Sequence, residues 1–443
     1  MAVQTGIRDE RVNIATVFVV IVCWLAIISE GYDLIVYGAV LPSLLHYKAW
    51  SLNSAQAGVI GSYAVIGMLF GALIVGTLTD LIGCKVTFIS CVTVFSIAMG
   101  ACALAPTPGL FGLFRFIAGL GLGGVIPTAT VVTIEYAPAK WRTFTYTLMF
   151  SGYSIGGILA SSLAIPLIPA FGWQIMFWVG TIPLLLVVPT ALFLLPESVG
   201  FLLIKNRRAE AEEIARRFNL HLEPTSPTNT DKWSALKTLF TRNYLMATIC
   251  FWIATFLALF MIFGLNTWVP QIMRSAGYSL GSALSFLLVL NIGTIVGSLV
   301  AGAATDRFGS KIVCTVSFLL AALSLGLLSV KWSLPVTYIL FAIAGVGTIG
   351  TQTLLNAYVS KYYPLSGRAT AVGWSLGVGR LGGILGPAFG GILLSWGLGF
   401  QWNFYAFALP GLLGAVFILF IADRRASEFA SLEPAATPVL LPE

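Results

Sequence analysis

Charged residues are scarce in this sequence, and their scarcity excludes a soluble protein. They make up 9% of the 443 residues, while hydrophobic residues make up 58%. An ordinary globular chain has about 25% charged residues, and fewer cannot cover the surface of a soluble domain. The mean hydropathy of +0.93 agrees. The composition therefore predicts an integral membrane protein.

Histidine and paired cysteine are also scarce. The chain has two histidines and six cysteines, with no CxxC pair, so we expect no disulfide framework, structural zinc or histidine-rich metal centre. It contains no GxxxxGK[ST] phosphate loop, so ATP hydrolysis within the chain is not expected. No nucleophile–base pattern stands out either. We expect a protein that is not an enzyme and uses no metal or cofactor.

Long apolar runs, by contrast, are abundant. A hydrocarbon core of about 30 Å requires about 20 apolar helical residues, and the first run is too long for a signal peptide. The sequence predicts twelve spans, an all-α membrane protein. They lie near 14–45, 54–79, 86–105, 108–136, 143–169, 171–195, 243–273, 280–304, 312–330, 333–360, 367–395 and 400–422.

The basic residues predict the orientation. With a cytoplasmic N-terminus, Lys48, Arg274 and Lys331 lie outside, Arg115 and Arg380 lie within spans, and the remaining basic residues are cytoplasmic. This is the asymmetry of the positive-inside rule. The net charge of +7 is therefore a topology signal, and no nucleic-acid partner is expected. Both termini should be cytoplasmic, in a multi-pass cell-membrane protein.

An internal repeat divides the chain. The segment GTLTDLIGCK begins at Gly76 and GAATDRFGSK at Gly302, and the same offset of 226 residues aligns three further segments. We predict a six-helix bundle in 1–195, a cytoplasmic linker in 196–242 that includes a charged surface helix, and a second bundle with a cytoplasmic tail in 243–443. Parallel repeats of this kind are typical of secondary transporters, with the substrate at the midplane between the halves.

The repeated GxxxDxxGxK loop resembles the signature of the major facilitator superfamily. By that resemblance the loops close the cytoplasmic side when the carrier opens outward. The alternative is that each loop is a tight turn whose charges only set the orientation of the chain in the membrane. The implied gating residues are Gly76, Asp80, Gly83, Lys85, Gly302, Asp306, Arg307 and Lys311.

A second set of charges belongs to the same predicted gate. Glu135 and Arg142 align through the repeat with Lys361 and Arg368. The opposite charges of Glu135 and Lys361 predict a pair that forms when the halves close. Simple anchoring at the membrane interface is the alternative.

Three charged positions lie deeper in the spans. Glu30 and Asp33 are three residues apart, so they share one side of span one, and intramembrane ionisable groups are functional candidates. We expect proton coupling at Asp33 and Glu30, with Arg115 coupled electrostatically to Asp33. The alternatives are a structural Arg115–carboxylate bridge and direct contact of Arg115 with the substrate. Arg380 lies about 20 Å into span eleven. Because arginine keeps its proton, we expect Arg380 to bind an anion or to form a fixed salt bridge.

Several further side chains are candidates for a substrate pocket. Tyrosines flank Asp33, a phenylalanine stripe runs along span seven, and two amides lie one turn apart in span ten. Packing against lipid or other helices is the alternative for each. The candidates are Tyr32, Tyr37, Phe256, Phe260, Asn266, Gln352 and Asn356.

The whole chain resembles the aromatic acid:proton symporter family, through EGYDLIVYGAVLP, the two loops, RFIAGLGLGGVIPTATVVTIEYAP and GVGRLGGILGP. The first segment is most similar to benzoate-type members. This resemblance implies uptake of an aromatic carboxylate, such as benzoate or a hydroxybenzoate, with protons across a bacterial cytoplasmic membrane by a protein that functions as a monomer. The family usually has Asp where this chain has Glu30.

Two other transporter functions remain open. One is a proton-coupled carrier of another organic anion, and the other is a drug:proton antiporter. The antiporter motif GxxxGPxxGG is absent from span five, where the chain reads GYSIGGILASS. It occurs in span eleven instead, between Gly382 and Gly391.

Overall fold

The structure is a computed structural model that describes residues 13–138, 141–218, 237 and 239–422. The side chains of Thr143, Asp306, Leu365, Ser366 and Ala369 are not part of that description. Within the described residues the ordered elements are all helices.

The described residues of the first half form seven helices, of which the short pair α6 and α7 together form one span. They are α1 (Ile14–Leu45), α2 (Ser54–Ile82), α3 (Cys84–Ala103), α4 (Pro108–Tyr136), α5 (Arg142–Phe171), α6 (Gln174–Val179) and α7 (Ile182–Leu194).

Among the described residues, the linker contributes two short helices with defined bounds, and the second half contributes seven more. They are α8 (Val199–Ile204), α9 (Arg208–Phe218), α10 (Leu245–Ser275), α11 (Leu280–Phe308), α12 (Ser310–Leu328), α13 (Leu334–Gly345), α14 (Thr351–Tyr362), α15 (Leu365–Ser395) and α16 (Phe400–Leu419). A π-helical turn, Val346–Gly350, joins α13 to α14. Twelve segments of the described chain are long and apolar enough to cross a membrane, which confirms the predicted number of spans.

Two interruptions within the spans were not predicted. The sixth span breaks between Val179 and Ile182, because Pro183 lacks the N–H that would continue the hydrogen bonding of α6. In the tenth span the π turn lies in the sequence GVGTIG, where Gly345 packs directly on the backbone carbonyl of Leu290. Such single π turns are frequent at functional sites.

The repeated loop is a tight turn in both halves. Gly83 has φ +96° and separates α2 from α3, and Gly309 has φ +83° and separates α11 from α12. A side chain is strained in this left-handed region, so both turns require glycine. The two loops are therefore equivalent in backbone geometry as well as in sequence.

The two halves meet through three helix pairs: α1 with α10, α2 with α15, and α5 with α11. We call the end of the bundle where α1 begins the N-face and the opposite end the far face. Near the far face the backbones touch, because Gly58 packs on the carbonyl of Pro387 and Gly391 packs on the carbonyl of Ser54. Ser62 also donates a hydrogen bond of 2.5 Å to the carbonyl of Ile384. The far face is closed.

The helices α2 and α15, which touch near the far face, separate toward the N-face. Gly76 lies 18 residues along α2 from Gly58 and on the same side of the helix. Gly373 similarly lies within about 40° of Pro387 around the axis of α15, and Gly377 follows Gly373 by one turn. Apart from the adjoining backbone of the same helix, no described heavy atom lies within 4 Å of the Cβ position at Gly76, Gly373 or Gly377. The space between the halves therefore opens toward the N-face.

The start of the linker is docked on the first half. The Tyr136 hydroxyl donates to the Glu197 carbonyl at 2.6 Å, and the rings of Tyr136 and Phe218 lie 4.6 Å apart. Asn13 donates from its amide to the carbonyl of Arg217 at 2.7 Å. The charged side of α9 is exposed. Of the predicted linker, 219–236 and 238 lie outside the described residues.

Candidate functional site

An ion pair joins α1 to α4 inside the first half. Nη1 of Arg115 lies 2.5 Å from Oδ1 of Asp33, and each side chain is 1% exposed. Arg115 also donates to the backbone carbonyl of Asp33 at 3.3 Å, and its guanidinium lies 5.8 Å from the centre of the Tyr37 ring. These contacts hold the two charges together away from water.

Glu30 lies one turn before Asp33 and has no such partner. Its side chain is fully buried, and neither carboxylate oxygen has a hydrogen-bond partner among the described residues. Its electrostatic neighbours are Arg380 from the other half and Asp33 from its own helix. A buried carboxylate without a donor is costly when ionised, so Glu30 requires either a proton or a cation.

Arg380 supplies the cation on the opposite side of the interface. It lies in the middle of α15, on the side that bears Gly373 and Gly377 and faces the open space. Glycines at the neighbouring positions 379 and 382 let α15 pack directly on the backbone and side chains of α10. Within the described chain the Arg380 guanidinium forms no hydrogen bond and no ion pair; its electrostatic neighbours are Glu30 and Tyr153. Arg380 can therefore accept an anion that enters from the N-face.

Tyr153 completes this cluster, and the sequence analysis missed it. It lies on α5, whose backbone at this position packs on Gly31 of α1. Both Glu30 and Arg380 act electrostatically on it. One signal was available, since Tyr153 adjoins Ser154, the repeat counterpart of Arg380. Glu30, Tyr153 and Arg380 thus form a site between the halves, here called the interface site.

The predicted tyrosines of α1 are engaged elsewhere. The hydroxyl of Tyr32 donates to the carbonyl of Met176 at 2.8 Å, and that of Tyr37 donates to the carbonyl of Ala57 at 2.5 Å. Both side chains are buried. Their hydroxyls connect α1 to α6 and to α2 instead of pointing into the interface site.

The predicted phenylalanines lie on the side of α10 that faces α16. Phe256 stacks on Phe260 with ring centres 6.3 Å apart, and Phe260 contacts Phe389 and Phe407. Phe256 also lines an apolar groove beside α16. The contacts of these two side chains within the described chain are with other aromatic residues and with the groove beside α16, and none of these contacts is with Arg380.

Two of the three predicted amides, Asn266 and Gln352, each leave an oxygen without a donor among the described residues. Asn266 lies where α10 crosses Gly38 of α1, and its Oδ1 is buried and unpartnered among the described residues. Gln352 donates to Asn356 at 3.0 Å, while its own Oε1 is buried without a partner. These amides keep unused hydrogen-bonding capacity.

The Glu197 carboxylate, which was not among the predicted gating residues, is a hydrogen-bond acceptor at the N-face loop between α2 and α3. One carboxylate oxygen of Glu197 accepts hydrogen bonds from the backbone N–H groups of Cys84 at 2.7 Å and Lys85 at 3.1 Å, at the start of α3. The Lys85 ammonium donates to the carbonyl of Leu192 at 2.8 Å. Glu197 therefore binds the positive end of α3, whereas Asp80 is exposed. The side chain of Asp306 lies outside the described part.

The predicted charge pair of the gate is not formed in this open arrangement. Glu135 accepts a hydrogen bond from the backbone N–H of Gly200 at 3.1 Å, and Lys361 is exposed. Arg142 and Arg368 are half-buried, and each has an Nε without a partner in the described chain. Because the halves are apart at the N-face, closing pairs between them stay a prediction.

Comparison with known proteins yields one family profile and close relatives. The profile of the Major Facilitator Superfamily matches residues 23–297 and 287–442. The chain is 40% identical to the benzoate transport protein of Acinetobacter baylyi, over 94% of this chain and 92% of that protein. It is also 40% identical to the gentisate transporter of Corynebacterium glutamicum, over 90% of this chain and 85% of that protein.

Solved structures share the fold at low identity. The xylose transporter XylE from E. coli, in a partially occluded inward open conformation, superposes with a TM-score of 0.72 at 17% identity. The match covers 92% of this chain and all of that one. At such identity the likeness concerns the fold alone.

Proposed function

The chain belongs to the major facilitator superfamily and, within it, to the aromatic acid:proton symporter family, and from that premise we propose that it imports an aromatic carboxylate together with protons. It is a multi-pass membrane transporter and not an enzyme. Benzoate and ring-hydroxylated benzoates are the substrates proposed, in line with the names of the relatives.

The observation that carries the proposal is the guanidinium of Arg380, which has no hydrogen-bond or ion-pair partner among the described residues. Arginine stays protonated, and its planar fork matches a carboxylate bidentately. Arg380 lies at mid-span between the halves and within reach of the open N-face. A monoanionic aromatic acid would neutralise it there, with Tyr153 beside the bound carboxylate.

The orientation follows from the positive charges. Lys85, Arg142, Lys205, Arg307 and Lys361 lie at the N-face, whereas the far face bears Lys48, Arg274 and Lys331. We place the N-face in the cytoplasm on this ground. The structure then represents an inward-open carrier, and the far face is the side from which substrate enters.

Transport proceeds by rocking of one half against the other around the site. The two bundles, 1–195 and 243–443, move as units joined by the linker 196–242, and one chain suffices. When the far face opens, the N-face closes through the repeated loops and through the pairing of Glu135 with Lys361. Closure in either state encloses Arg380, so its charge must be balanced first.

Proton coupling resides in the cluster of Glu30, Asp33 and Arg115. Two carboxylates within the membrane are costly, and such groups form proton relays in many transporters. If one proton accompanies one monoanion, no net charge moves. The pH gradient then drives uptake with about 1.4 kcal/mol per pH unit.

Proteoliposome uptake tests the function. Purified protein is reconstituted, an inward proton gradient is imposed, and labelled benzoate, hydroxybenzoates, muconate and aliphatic acids are offered in turn. We expect accumulation of aromatic carboxylates that stops when the gradient is collapsed. Preference for an aliphatic acid would indicate another organic anion carrier. Export of cationic drugs without carboxylate uptake would indicate an antiporter.

A further inference from the structure

The two carboxylates of α1 differ in what they face. Asp33 is paired with Arg115, with contacts to both its side chain and its backbone. Glu30 has no hydrogen-bond partner in the described chain, and the cation that acts on it electrostatically, Arg380, belongs to the other half. The Asp33 carboxylate belongs to an ion pair within the first half, whereas the Glu30 carboxylate lies at the interface between the two halves.

The two carboxylates contribute differently to the net charge at the interface between the halves. Asp33 and Arg115 sum to zero and move together, since both belong to the first half. At the interface site Glu30 contributes one negative charge and Arg380 one positive charge. A bound aromatic carboxylate would add a second negative charge to a single guanidinium, and an uncompensated buried charge is strongly unfavourable.

We propose that Glu30 and the substrate carboxylate compete for Arg380, so that substrate binds when Glu30 takes up a proton, while Asp33 stays ionised and paired with Arg115 throughout. This inference rests on the proposed function and deepens it, because it assigns the transported proton to one residue. It also predicts a stoichiometry of one proton per monoanion.

The groups around Glu30 are consistent with this role. Facing it are Asp33 on its own helix, Arg380 on α15, Tyr153 on α5 and Cys91 on α3. Arg380 does not release its proton, and phenol and thiol groups are ordinarily neutral near pH 7. Asp33 is already held by Arg115. Glu30 is thus the group whose charge can change with the ligand.

The cycle balances in protons and charge. In the far-face-open state a proton from the entry side binds a Glu30 oxygen, and the substrate carboxylate takes the place of Glu30 at Arg380. After rocking, the anion leaves through the N-face. Glu30 then releases its proton to water on that side and again balances the charge of Arg380 electrostatically, and the empty carrier rocks back. One proton and one anion have crossed, and no net charge has moved.

The first test compares wild type with Glu30→Gln, which imitates the protonated side chain. Proton uptake on adding benzoate is recorded in weakly buffered detergent solution, and proteoliposomes are assayed for exchange and for accumulation. We expect wild type to take up one proton per benzoate bound. Glu30→Gln should take up none, bind benzoate with the same affinity from pH 6 to 8, and exchange it without accumulating it.

A second variant examines the Asp33–Arg115 pair. Asp33→Asn alone leaves a buried arginine unpaired and is expected to destabilise the protein. The double variant Asp33→Asn with Arg115→Gln removes both charges at once. We expect it to transport more slowly than wild type but to keep the uptake of one proton per benzoate, because Glu30 and Arg380 are intact.

The outcomes separate the two hypotheses. If wild type accumulates no aromatic carboxylate, the proposed function fails. If wild type accumulates benzoate and Glu30→Gln still takes up one proton per benzoate, the assignment to Glu30 fails alone. The same follows if the double variant binds benzoate without proton uptake, since Asp33 would then be the proton carrier.

Discussion

Gly38 of α1 lies directly against the backbone carbonyl of Asn266 in α10, so the two halves meet backbone to backbone at this point. Together with the contacts of Gly58 and Gly391, this backbone approach closes the far face. The closed face excludes water from one side of the interface site. Arg380 is accordingly reached from the N-face in this state.

Gly38→Ala is expected to prevent this closure. The added methyl group would overlap the Asn266 carbonyl, and overpacking of this kind costs about 1–3 kcal/mol. We expect proton-driven benzoate uptake to fall about tenfold or more, which is the effect of about 1.4 kcal/mol. Gly281→Ala is the matched control, because no described atom lies within 4 Å of a Cβ there. Equal uptake by the two variants would contradict the role of Gly38.

Arg380→Lys is expected to weaken substrate binding. A lysine keeps the charge but lacks the planar fork that holds a carboxylate with two parallel hydrogen bonds. We expect the Kd for benzoate, measured by calorimetry in detergent, to rise about tenfold. Arg274→Lys, at an exposed position near the end of α10, is the control. Unchanged affinity in Arg380→Lys would remove this residue from the site.

Tyr153→Phe tests the residue that the sequence analysis missed. If the hydroxyl donates to the bound carboxylate, its loss should cost about 1 kcal/mol, or roughly fivefold in affinity. We expect KM for uptake to rise while the maximal rate changes little. Tyr405→Phe is the control, since that hydroxyl accepts a hydrogen bond from Ser329 at 2.9 Å, far from the interface site. A fall in maximal rate without a change in KM would indicate a role in rocking instead.

Much of the fold could be predicted from the sequence, for a simple physical reason. The bilayer imposes a minimum length of apolar helix, so the twelve spans stand out in hydropathy. The repeat likewise revealed that the two glycine turns are equivalent. The break before Pro183 and the π turn at Val346–Gly350 were missed because they depend on packing with neighbouring helices and leave the hydropathy unchanged.

The candidate site was predictable where charge marked it and unpredictable elsewhere. Asp33, Arg115 and Arg380 stand out because charges within a span are rare. Tyr153 does not stand out in an aromatic-rich chain, although it adjoins the repeat counterpart of Arg380, and its electrostatic coupling to Glu30 and Arg380 emerges only from the three-dimensional structure. Conversely, Phe256 and Phe260 formed a regular stripe, but periodicity alone could not show that this side of α10 faces α16.

Glu197→Ala is expected to destabilise the first half. Its carboxylate accepts two hydrogen bonds from the start of α3 and a third from the N–H of Ser198 at 2.9 Å. Removing hydrogen bonds to a charged group at a helix N-terminus should cost about 2–3 kcal/mol, measured as a lower unfolding temperature in detergent. Glu212→Ala is the control, because its ion pair with Arg208 is exposed and contributes less than about 1 kcal/mol. Equal unfolding temperatures would exclude the capping role.

A ligand-bound structure tests the central account most directly. Crystals grown with a bromobenzoate would locate the ring by the anomalous signal of bromine and the carboxylate by its position on that ring. We predict that the carboxylate lies within hydrogen-bond distance of the Arg380 guanidinium, with Tyr153 beside it and the Asp33–Arg115 pair intact. A carboxylate bound to Arg115, or a ligand in the groove beside Phe256, would contradict it.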